Sequence, residues 1–275
     1  MHSRKRGKIK IESGYLDFVF QSISVTTGNA FVPCPSEYDK DQIYVIYEYD
    51  DAGVPLDEVE FTSLDEVISV IRQVCVAMAV AESALQFEHR DLHSGNVLVK
   101  KTPQCQIVKF TVPDTGNSLK FQSHGLKVTI IDYAFSRLRN PKTKKAVYTD
   151  FRGCAMSQFN RSMIFRLLQC RNRNNWSSYD PYSNLLWLQY LTATLICRYS
   201  SSTRSPSRSD PEVEWSSVEA YEEHEQLSEL EKALMSTSNE DSVRALWQFL
   251  RTIPLYQSMT ELVARDPLFD SLRES

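Results

Sequence analysis

Three oxygen-bearing side chains in the middle of the chain have the types and spacing that phosphoryl transfer requires. Asp91 and Asn96 lie five residues apart in the segment His89 to Asn96, and Asp132 follows the apolar run Val128 to Ile131. Transfer of a phosphoryl group from a nucleotide needs one carboxylate to orient the acceptor hydroxyl. It also needs an amide oxygen and a second carboxylate to hold metal against the phosphates. The pattern therefore predicts that Asp91 acts on the hydroxyl and that Asn96 and Asp132 bind the metal.

Two histidines flank Asp91. We expect His89 to pack and hydrogen-bond beneath the loop rather than to move a proton. We place His93 among the candidate catalytic residues, because many phosphotransferases of small molecules carry a similar Asp-Leu-His-x-Gly-Asn loop. The loop alone indicates the kinase-like superfamily and not the substrate. It leaves open a protein kinase, a pseudokinase that serves as a binding module, and a small-molecule phosphotransferase.

The composition is that of an ordinary globular protein, with 42% hydrophobic and 24% charged residues in a chain of 275. A net charge of -4 argues against a general nucleic-acid coat. We expect neither a membrane partner nor direct sequence-specific nucleic-acid binding. Six cysteines without a CxxC pair, and no apolar signal segment, predict reduced thiols in an intracellular protein, nuclear or cytoplasmic. The basic cluster Arg4 to Lys10 is either an import address or a solvated tail.

The elements around the loop follow from hydrophobic periodicity. Ser63 and Glu66 form a capping pair, and apolar residues at three- and four-residue steps behind them predict a helix of about 22 residues that ends near Phe87. Short strands are predicted at 97–99, 105–110 and 127–131, and further helices at 162–170, 183–197, 216–236, 240–251 and 258–264. Residues 140–149 are predicted to be an exposed loop. Strands early and helices late predict an α+β fold.

Three separated segments resemble the haspin family of atypical serine/threonine kinases. They are Phe87 to Leu98, Ile130 to Leu138, in which Asp-Tyr replaces the usual Asp-Phe, and Asn174 to Thr192. The resemblance covers about residues 20–198 and the C-terminal tail. It implies a protein-kinase-like fold and a nuclear, chromatin-associated kinase. Such a kinase uses ATP and Mg²⁺ to phosphorylate a threonine on the histone H3 tail.

The same resemblance implies a division of the chain. Residues 1–14 are a basic tail, 15–53 are remnant N-lobe strands and the hinge, 54–199 are a mostly helical C-lobe with the catalytic and metal loops, 200–215 are a Ser/Arg/Pro-rich linker, and 216–275 are C-terminal helices of the C-lobe. The hinge residues Tyr49, Asp50, Asp51 and Ala52 are implied to bind the nucleotide.

Several positions depart from the family pattern. The sequence shows no glycine-rich loop, no strand with the phosphate-binding lysine and no αC helix with a partner glutamate. It therefore predicts a reduced β N-lobe and a weak or inactive kinase. Pro55 stands where a ribose-contacting acid is expected.

Two further departures concern the catalytic loop and the substrate. Met163, or Asn160 on a shifted register, replaces the acid that braces the loop backbone. Asp57 and Asp150 are all that remains of the patch that binds the histone tail, with three non-acidic neighbours: Arg152, Gly153 and Ala155. These residues therefore do not predict that the protein recognises a basic histone tail by complementary charge.

Overall fold

The structure is a computed structural model that describes residues 49–103, 106–111, 116, 118–154, 162–202, 235 and 239–272. The chain separates into two units, Met1–Asp50 and Asp51–Ser275. Of the first unit only Tyr49 and Asp50 are described, so the predicted basic tail, N-lobe strands, Ser/Arg/Pro-rich linker and 216–236 helix lie mostly or wholly outside the described residues. The fold below is that of the second unit.

The second unit mixes short antiparallel strands with longer helices, as the predicted α+β class requires. The strands are β1 Val54–Pro55, β2 Val97–Lys101, β3 Ile107–Thr111, β4 Ser118–Gln122, β5 Leu126–Ile130, β6 Leu138–Arg139 and β7 Ala146–Val147. The helices are α1 Leu64–Leu85, α2 Ser162–Arg171, α3 Tyr182–Ser202, α4 Glu240–Thr252 and α5 Met259–Arg265. Short 3-10 turns lie at Leu56–Glu58, Ser94–Asn96, Ile253–Leu255 and Pro267–Leu272.

Helix α1 is the central helix and confirms the predicted 22-residue element. Ser63 accepts a hydrogen bond from the Glu66 N–H, while the Glu66 carboxylate reaches back to the N–H and hydroxyl of Thr62 rather than to Ser63. The helix ends at Gln86, which adopts a left-handed φ of 49°. α1 is long and apolar enough to cross a membrane, but 67% of its most apolar window is buried inside the protein, as in a core helix.

The strands form three antiparallel sheets, β1-β2-β5, β3-β4 and β6-β7. In the first sheet, Val97 pairs with Ile130 and Val99 with Val128. This register brings the start of β2 beside the end of β5, so the residues that precede β2 lie next to those that follow β5. The predicted strands at 97–99, 105–110 and 127–131 are confirmed within a few residues.

The predicted loop at residues 140–149 is wrong in one respect. Leu138 pairs with Val147 and Arg139 with Ala146, so the segment starts and ends in a small hairpin. Strands of two residues have no periodicity that a sequence could reveal. The β4 strand was also missed.

The core beneath the strand ends is aromatic. Phe151 packs edge-on against Trp176 with ring centroids 4.8 Å apart, and Phe165 contacts Trp187 at 5.8 Å. Trp176 and Trp187 are completely buried or nearly so. Because these rings come from the segment after β7, from α2 and α3, and from the connection between those two helices, they fix the hairpin side of the fold onto the helical side.

Candidate active site

Asn96 holds the catalytic and metal segments together. Its side-chain Nδ2 donates to the Asp91 carbonyl at 2.9 Å, and its own carbonyl accepts from the Ile131 N–H at 3.0 Å. One buried residue therefore contacts both the loop of Asp91 and the residue before Asp132. Since Nδ2 is engaged, Oδ1 is the remaining polar atom of the amide, and it is the atom that a hard cation prefers.

His93 lies against Asp91 rather than apart from it. Its Nδ1 accepts from the Gly95 N–H at 3.1 Å, and its Nε2 is 3.7 Å from Oδ2 of Asp91. With Nδ1 as an acceptor, the neutral ring carries its proton on Nε2, which faces the carboxylate. A Cβ at Gly95 would meet the His93 ring at 2.9 Å, so a larger residue there would have to displace the ring. The structure therefore places His93 beside Asp91 in the candidate site.

His89 packs beneath the loop, as the sequence predicts. Its Nδ1 accepts from the Asp91 N–H at 3.3 Å, and its Nε2 lies 3.0 Å from the Ile131 carbonyl. These two bonds require the neutral ring with the proton on Nε2. Burial lowers the pKa of His89 from 6.5 to about 4, against smaller opposing contributions from the Ile131 carbonyl and Asp132. The residue therefore joins the two loops as a neutral structural group at physiological pH.

The brace of the catalytic loop comes from α3. Asn184 accepts from the His89 N–H at 3.1 Å and donates to the Phe87 carbonyl at 2.9 Å and to Glu82 at 3.1 Å. The sequence predicts that Met163, or Asn160 on a shifted register, replaces the family's bracing acid. Asn160 and the side chain of Met163 lie outside what the structure describes. The observed contact is made by Asn184, which the sequence alone did not single out. An asparagine at the start of an apolar helix is a weak signal on its own.

A second unforeseen feature is a buried charge cluster beside the loop. The Glu88 carboxylate takes two bonds from Arg90, at 3.1 Å each, and one from the Ser183 hydroxyl at 2.9 Å. Arg90 adopts a left-handed φ of 65°, and its guanidinium also donates to the carbonyls of Trp176 and Ser178. Burial raises the pKa of Glu88, against the lowering effect of Arg90. The paired geometry offsets that cost and fixes the loop against α3.

Asp132 occupies a strained backbone position that its neighbours hold in place. Its φ is 58°, in the left-handed region that non-glycine residues rarely adopt. The Asp132 carboxylate accepts from the Ala134 N–H at 3.1 Å, and the Thr149 hydroxyl donates to the Ala134 carbonyl at 2.5 Å. The Tyr133 hydroxyl donates to the Ile130 carbonyl at 2.6 Å. Strain that persists under such constraint is typical of a functional position.

The Tyr133 ring also contacts aromatic rings of the catalytic loop. Its ring lies 5.8 Å from the Phe87 ring and 5.6 Å from the His89 ring, while 56% of the residue stays exposed. Together with the bond of its hydroxyl to Ile130, these contacts hold the metal loop against the catalytic loop from the outer side.

Of the four predicted hinge residues, Asp51 and Ala52 lie in the second unit. The Asp51 carboxylate forms an ion pair with Lys100 at 2.9 Å and accepts from the Gly53 N–H at 2.9 Å. Lys100 and the Gly53 N–H together lower the pKa of Asp51. Gly53 has a φ of 94°, and a Cβ there would lie 2.1 Å from the Val99 carbonyl oxygen, so only glycine lets this segment cross β2. Ala52 is half-buried beside it.

The other two hinge residues, Tyr49 and Asp50, are exposed in the first unit. At the family's ribose position, Pro55 pairs with Leu98 in the sheet. The two remaining acids of the expected tail-binding patch are not equivalent. Asp57 is exposed and its carbonyl accepts from Arg198, whereas the Asp150 carboxylate is bound by the guanidinium of Arg152 through both oxygens.

The donor set of the site suits Mg²⁺ held together with phosphate. Within the described ranges, no three His, Cys, Asp or Glu side chains gather into a protein-only metal site. Mg²⁺ is commonly held by one or two protein oxygen ligands and completes its shell with phosphate oxygens and water. The Asn96 amide oxygen and the exposed Asp132 carboxylate match that requirement.

Comparisons with known proteins point to one protein family. A profile described as a haspin-like kinase domain matches residues 8–241. The chain is 37% identical over 182 residues to the serine/threonine-protein kinase haspin of Mus musculus, which covers 63% of this chain and 23% of the mouse protein. It is 36% identical over 171 residues to haspin of Bos taurus, covering 59% of the chain and 21% of that protein.

A more distant relative gives the same picture. The haspin homolog of Drosophila melanogaster is 30% identical over 169 residues, covering 59% of the chain and 28% of the fly protein. The match thus spans about a quarter of the length of these relatives. The family profile covers most of the chain and includes every predicted catalytic and metal-binding residue. The chain belongs to the haspin-like kinase domain family, whose fold is that of the protein kinases.

Proposed function

We propose that this chain transfers the γ-phosphate of ATP to a serine or threonine hydroxyl of a protein. Asp91 is the residue that orients the acceptor hydroxyl and accepts its proton. His93 orients the Asp91 carboxylate through Nε2, at 3.7 Å from Oδ2. Asn96 and Asp132 are the proposed Mg²⁺ ligands, and bound Mg²⁺ supplies charge neutralisation at the phosphate oxygens.

The observation that carries this proposal is the double contact of Asn96. A single side chain cannot bond the Asp91 carbonyl while its backbone bonds Ile131 unless the catalytic and metal loops lie side by side. The two contacts hold the segment before β2 against the segment after β5. Their combination with a left-handed Asp132 supports a preorganised phosphoryl-transfer site.

We further propose that the hinge segment, Tyr49 to Ala52, contacts the nucleotide and that the phosphates are held mainly by the described lobe. The first fifty residues contain three glycines, Gly7, Gly14 and Gly28, without the spacing of a phosphate-binding loop.

We propose that the acceptor is a protein, since the relatives are named as haspin serine/threonine-protein kinases. The first peptide to test is one that contains the histone H3 threonine implied by the family resemblance.

Four cysteines in the described part of the chain are free thiols: Cys75, Cys154, Cys170 and Cys197. They support the proposal of a nuclear or cytoplasmic location, because reduced thiols persist in those compartments.

The test is a pair of measurements on the whole chain. Thermal shift with ATP and Mg²⁺ reports binding, and Asp132→Asn removes the negative charge of one proposed ligand with little change in shape. We expect a stabilisation of several degrees that the variant loses. Transfer of labelled γ-phosphate to a threonine peptide, with a small alcohol as the competing acceptor, reports the reaction. Stabilisation without dependence on Asp132, or label on the alcohol alone, contradicts the proposal.

The second candidate function is a pseudokinase that binds a partner without catalysis. The observation that favours it is that the lower lobe keeps its buried Glu88–Arg90 brace. That brace stabilises the loop whether or not the loop works. An absence of both the ATP·Mg²⁺ shift and label transfer, with a normally folded protein, would favour this function over the first.

A further inference from the structure

The hairpin that follows the metal loop carries an unusual concentration of positive charge. Between Leu138 and Cys154 the chain has five basic side chains and one acidic side chain, a net of +4 in a protein whose total is -4. All five are exposed, and they are Arg139, Lys142, Lys144, Lys145 and Arg152. The one acid, Asp150, is already bound by Arg152. We call residues 138–147 the lysine hairpin.

Hydrogen bonds within the lysine hairpin fix its conformation. The Asn140 side chain accepts from the N–H groups of Lys142 and Thr143 at 2.9 and 3.0 Å. The Asn140 backbone pairs with Lys145 and Lys144, at 2.8 Å in each bond. A tip fixed in this way presents its lysines without the entropy cost of ordering a loop at the moment of binding.

Among the residues that the structure describes, the three tip lysines have no acidic partner. Lys142, Lys144 and Lys145 take part in no ion pair within the part of the chain that the structure describes. Three neighbouring ammonium groups repel one another, and nothing in the hairpin offsets that repulsion. An arrangement of this kind is stabilised by a bound anion.

Both ends of the hairpin are attached to the candidate active site. At one end, Arg137 pairs with Glu88 through two backbone bonds of 2.8 and 2.9 Å, three residues before Asp91. At the other end, Thr149 donates to the Ala134 carbonyl, two residues after Asp132. Lys145 stands four positions before Thr149, so at most about 14 Å of extended chain separates their Cα atoms. A bound peptide extends about 3.3 Å per residue, so residues that flank its target hydroxyl can span a distance of this size.

We propose that the lysine hairpin selects acceptor peptides with acidic residues, aspartate, glutamate or phosphorylated side chains, beside the target hydroxyl. This inference rests on the proposed kinase function and names its substrate class. It differs from the basic histone tail that the family resemblance implies. The positive charge lies next to the site, whereas the described acid there, Asp150, is neutralised by an arginine.

The test compares two threonine peptides of equal length that differ only in their flanks, four Asp/Glu residues in one and four Lys/Arg residues in the other. Fluorescence anisotropy with the whole chain measures affinity without any need for turnover. We expect the acidic peptide to bind at least about tenfold more tightly, and the preference to shrink as salt rises. Equal affinities, or tighter binding of the basic peptide, would overturn the inference.

Charge reversal at the tip supplies the matched variants. Lys142→Glu, Lys144→Glu and Lys145→Glu together should abolish the preference for the acidic peptide or reverse it. The control reverses three exposed lysines on the sheets: Lys101→Glu, Lys109→Glu and Lys127→Glu. It changes the net charge by the same amount and should leave the preference intact. Loss of preference in the control alone contradicts the assignment to the hairpin.

Two further outcomes separate this inference from the proposed function. If ATP and Mg²⁺ bind and label is transferred without regard to flanking charge, the kinase proposal stands and the hairpin inference fails. If the acidic preference persists while ATP neither binds nor reacts, the hairpin is a docking surface on an inactive protein. A duplex DNA of random sequence completes the set, and DNA bound more tightly than the acidic peptide would overturn the inference.

Discussion

The side chain of Asn184 on α3 accepts a hydrogen bond from the backbone N–H of His89 at 3.1 Å, and this contact joins the helical core to the catalytic loop. The other end of the same amide donates to the Phe87 carbonyl and to Glu82. Three separate parts of the chain therefore depend on one buried side chain. The position of Asp91, two residues beyond His89, depends on it too.

Replacement of Asn184 by leucine should destabilise the protein by about 2–3 kcal/mol, because it removes the bonds that Asn184 makes to the buried His89 N–H and Phe87 carbonyl, and one of the bonds to Glu82. Urea unfolding measures the change. Thr194→Ala is the control on the same helix, since the Thr194 hydroxyl bonds only within α3, to the Tyr190 carbonyl. It should cost no more than about 1 kcal/mol. Equal losses in the two variants would contradict the bracing role.

Glu88→Gln should be more damaging than an ordinary ion-pair loss. The substitution leaves the buried guanidiniums of Arg90 and Arg137 without their carboxylate, and breaking a buried pair costs about 3–5 kcal/mol. Glu240→Gln serves as the control, since it removes an exposed pair with Arg244 worth less than about 1 kcal/mol. Chemical denaturation compares the two. A loss below about 1 kcal/mol for Glu88→Gln would argue that the cluster is not a brace.

The stability of the protein should fall between pH 7 and pH 5 because of His89. Its pKa is about 4 in the folded protein, against an ordinary value of 6.5, so the unfolded chain takes up a proton first as pH falls. This difference removes about 2 kcal/mol of stability by pH 5. Urea unfolding at both pH values measures it. In His89→Gln the decrease should be smaller by that amount, and an unchanged decrease would contradict the buried neutral imidazole.

Tyr133→Phe should raise the Mg²⁺ concentration needed for ATP binding several-fold while leaving the fold nearly intact. The ring contacts with Phe87 and His89 remain, and only the bond of the hydroxyl to the Ile130 carbonyl is lost, at a cost of about 1 kcal/mol. Mg²⁺ titration of the ATP-induced thermal shift gives the readout. Tyr148→Phe, on an exposed tyrosine after β7, should not change the requirement. Identical titrations for both variants would contradict a positioning role for Tyr133.

The parts of the fold that sequence predicts best are those set by local pattern. The apolar spacing behind Ser63 predicts α1 to within two residues of its observed end, and the β-rich runs predict β2 and β5. Residue types and their order predict that Asp91, Asn96 and Asp132 lie close together. The pairing of Val97 with Ile130 agrees, because it places the residues before β2 beside those after β5. Family resemblance added the fold.

What sequence does not predict depends on contacts between distant residues. The bond of Asn184 to His89 spans 95 residues, and Ser183 reaches Glu88 across a similar separation. No local pattern encodes either contact. The β6–β7 hairpin was missed because its strands are only two residues long. Its lysines looked like an exposed basic loop, and their attachment to the active site became visible only through Thr149 and Ala134.

The most direct test of the account is phosphate transfer by the whole chain and by Asp91→Asn, a substitution of nearly equal shape. We predict that the unsubstituted chain transfers labelled phosphate to a threonine peptide. We also predict a rate at least about a hundredfold lower for the variant, because its amide cannot accept the hydroxyl proton. Both proteins should show the same unfolding midpoint and the same ATP·Mg²⁺ shift. Transfer at an unchanged rate by a folded Asp91→Asn protein would contradict the central claim.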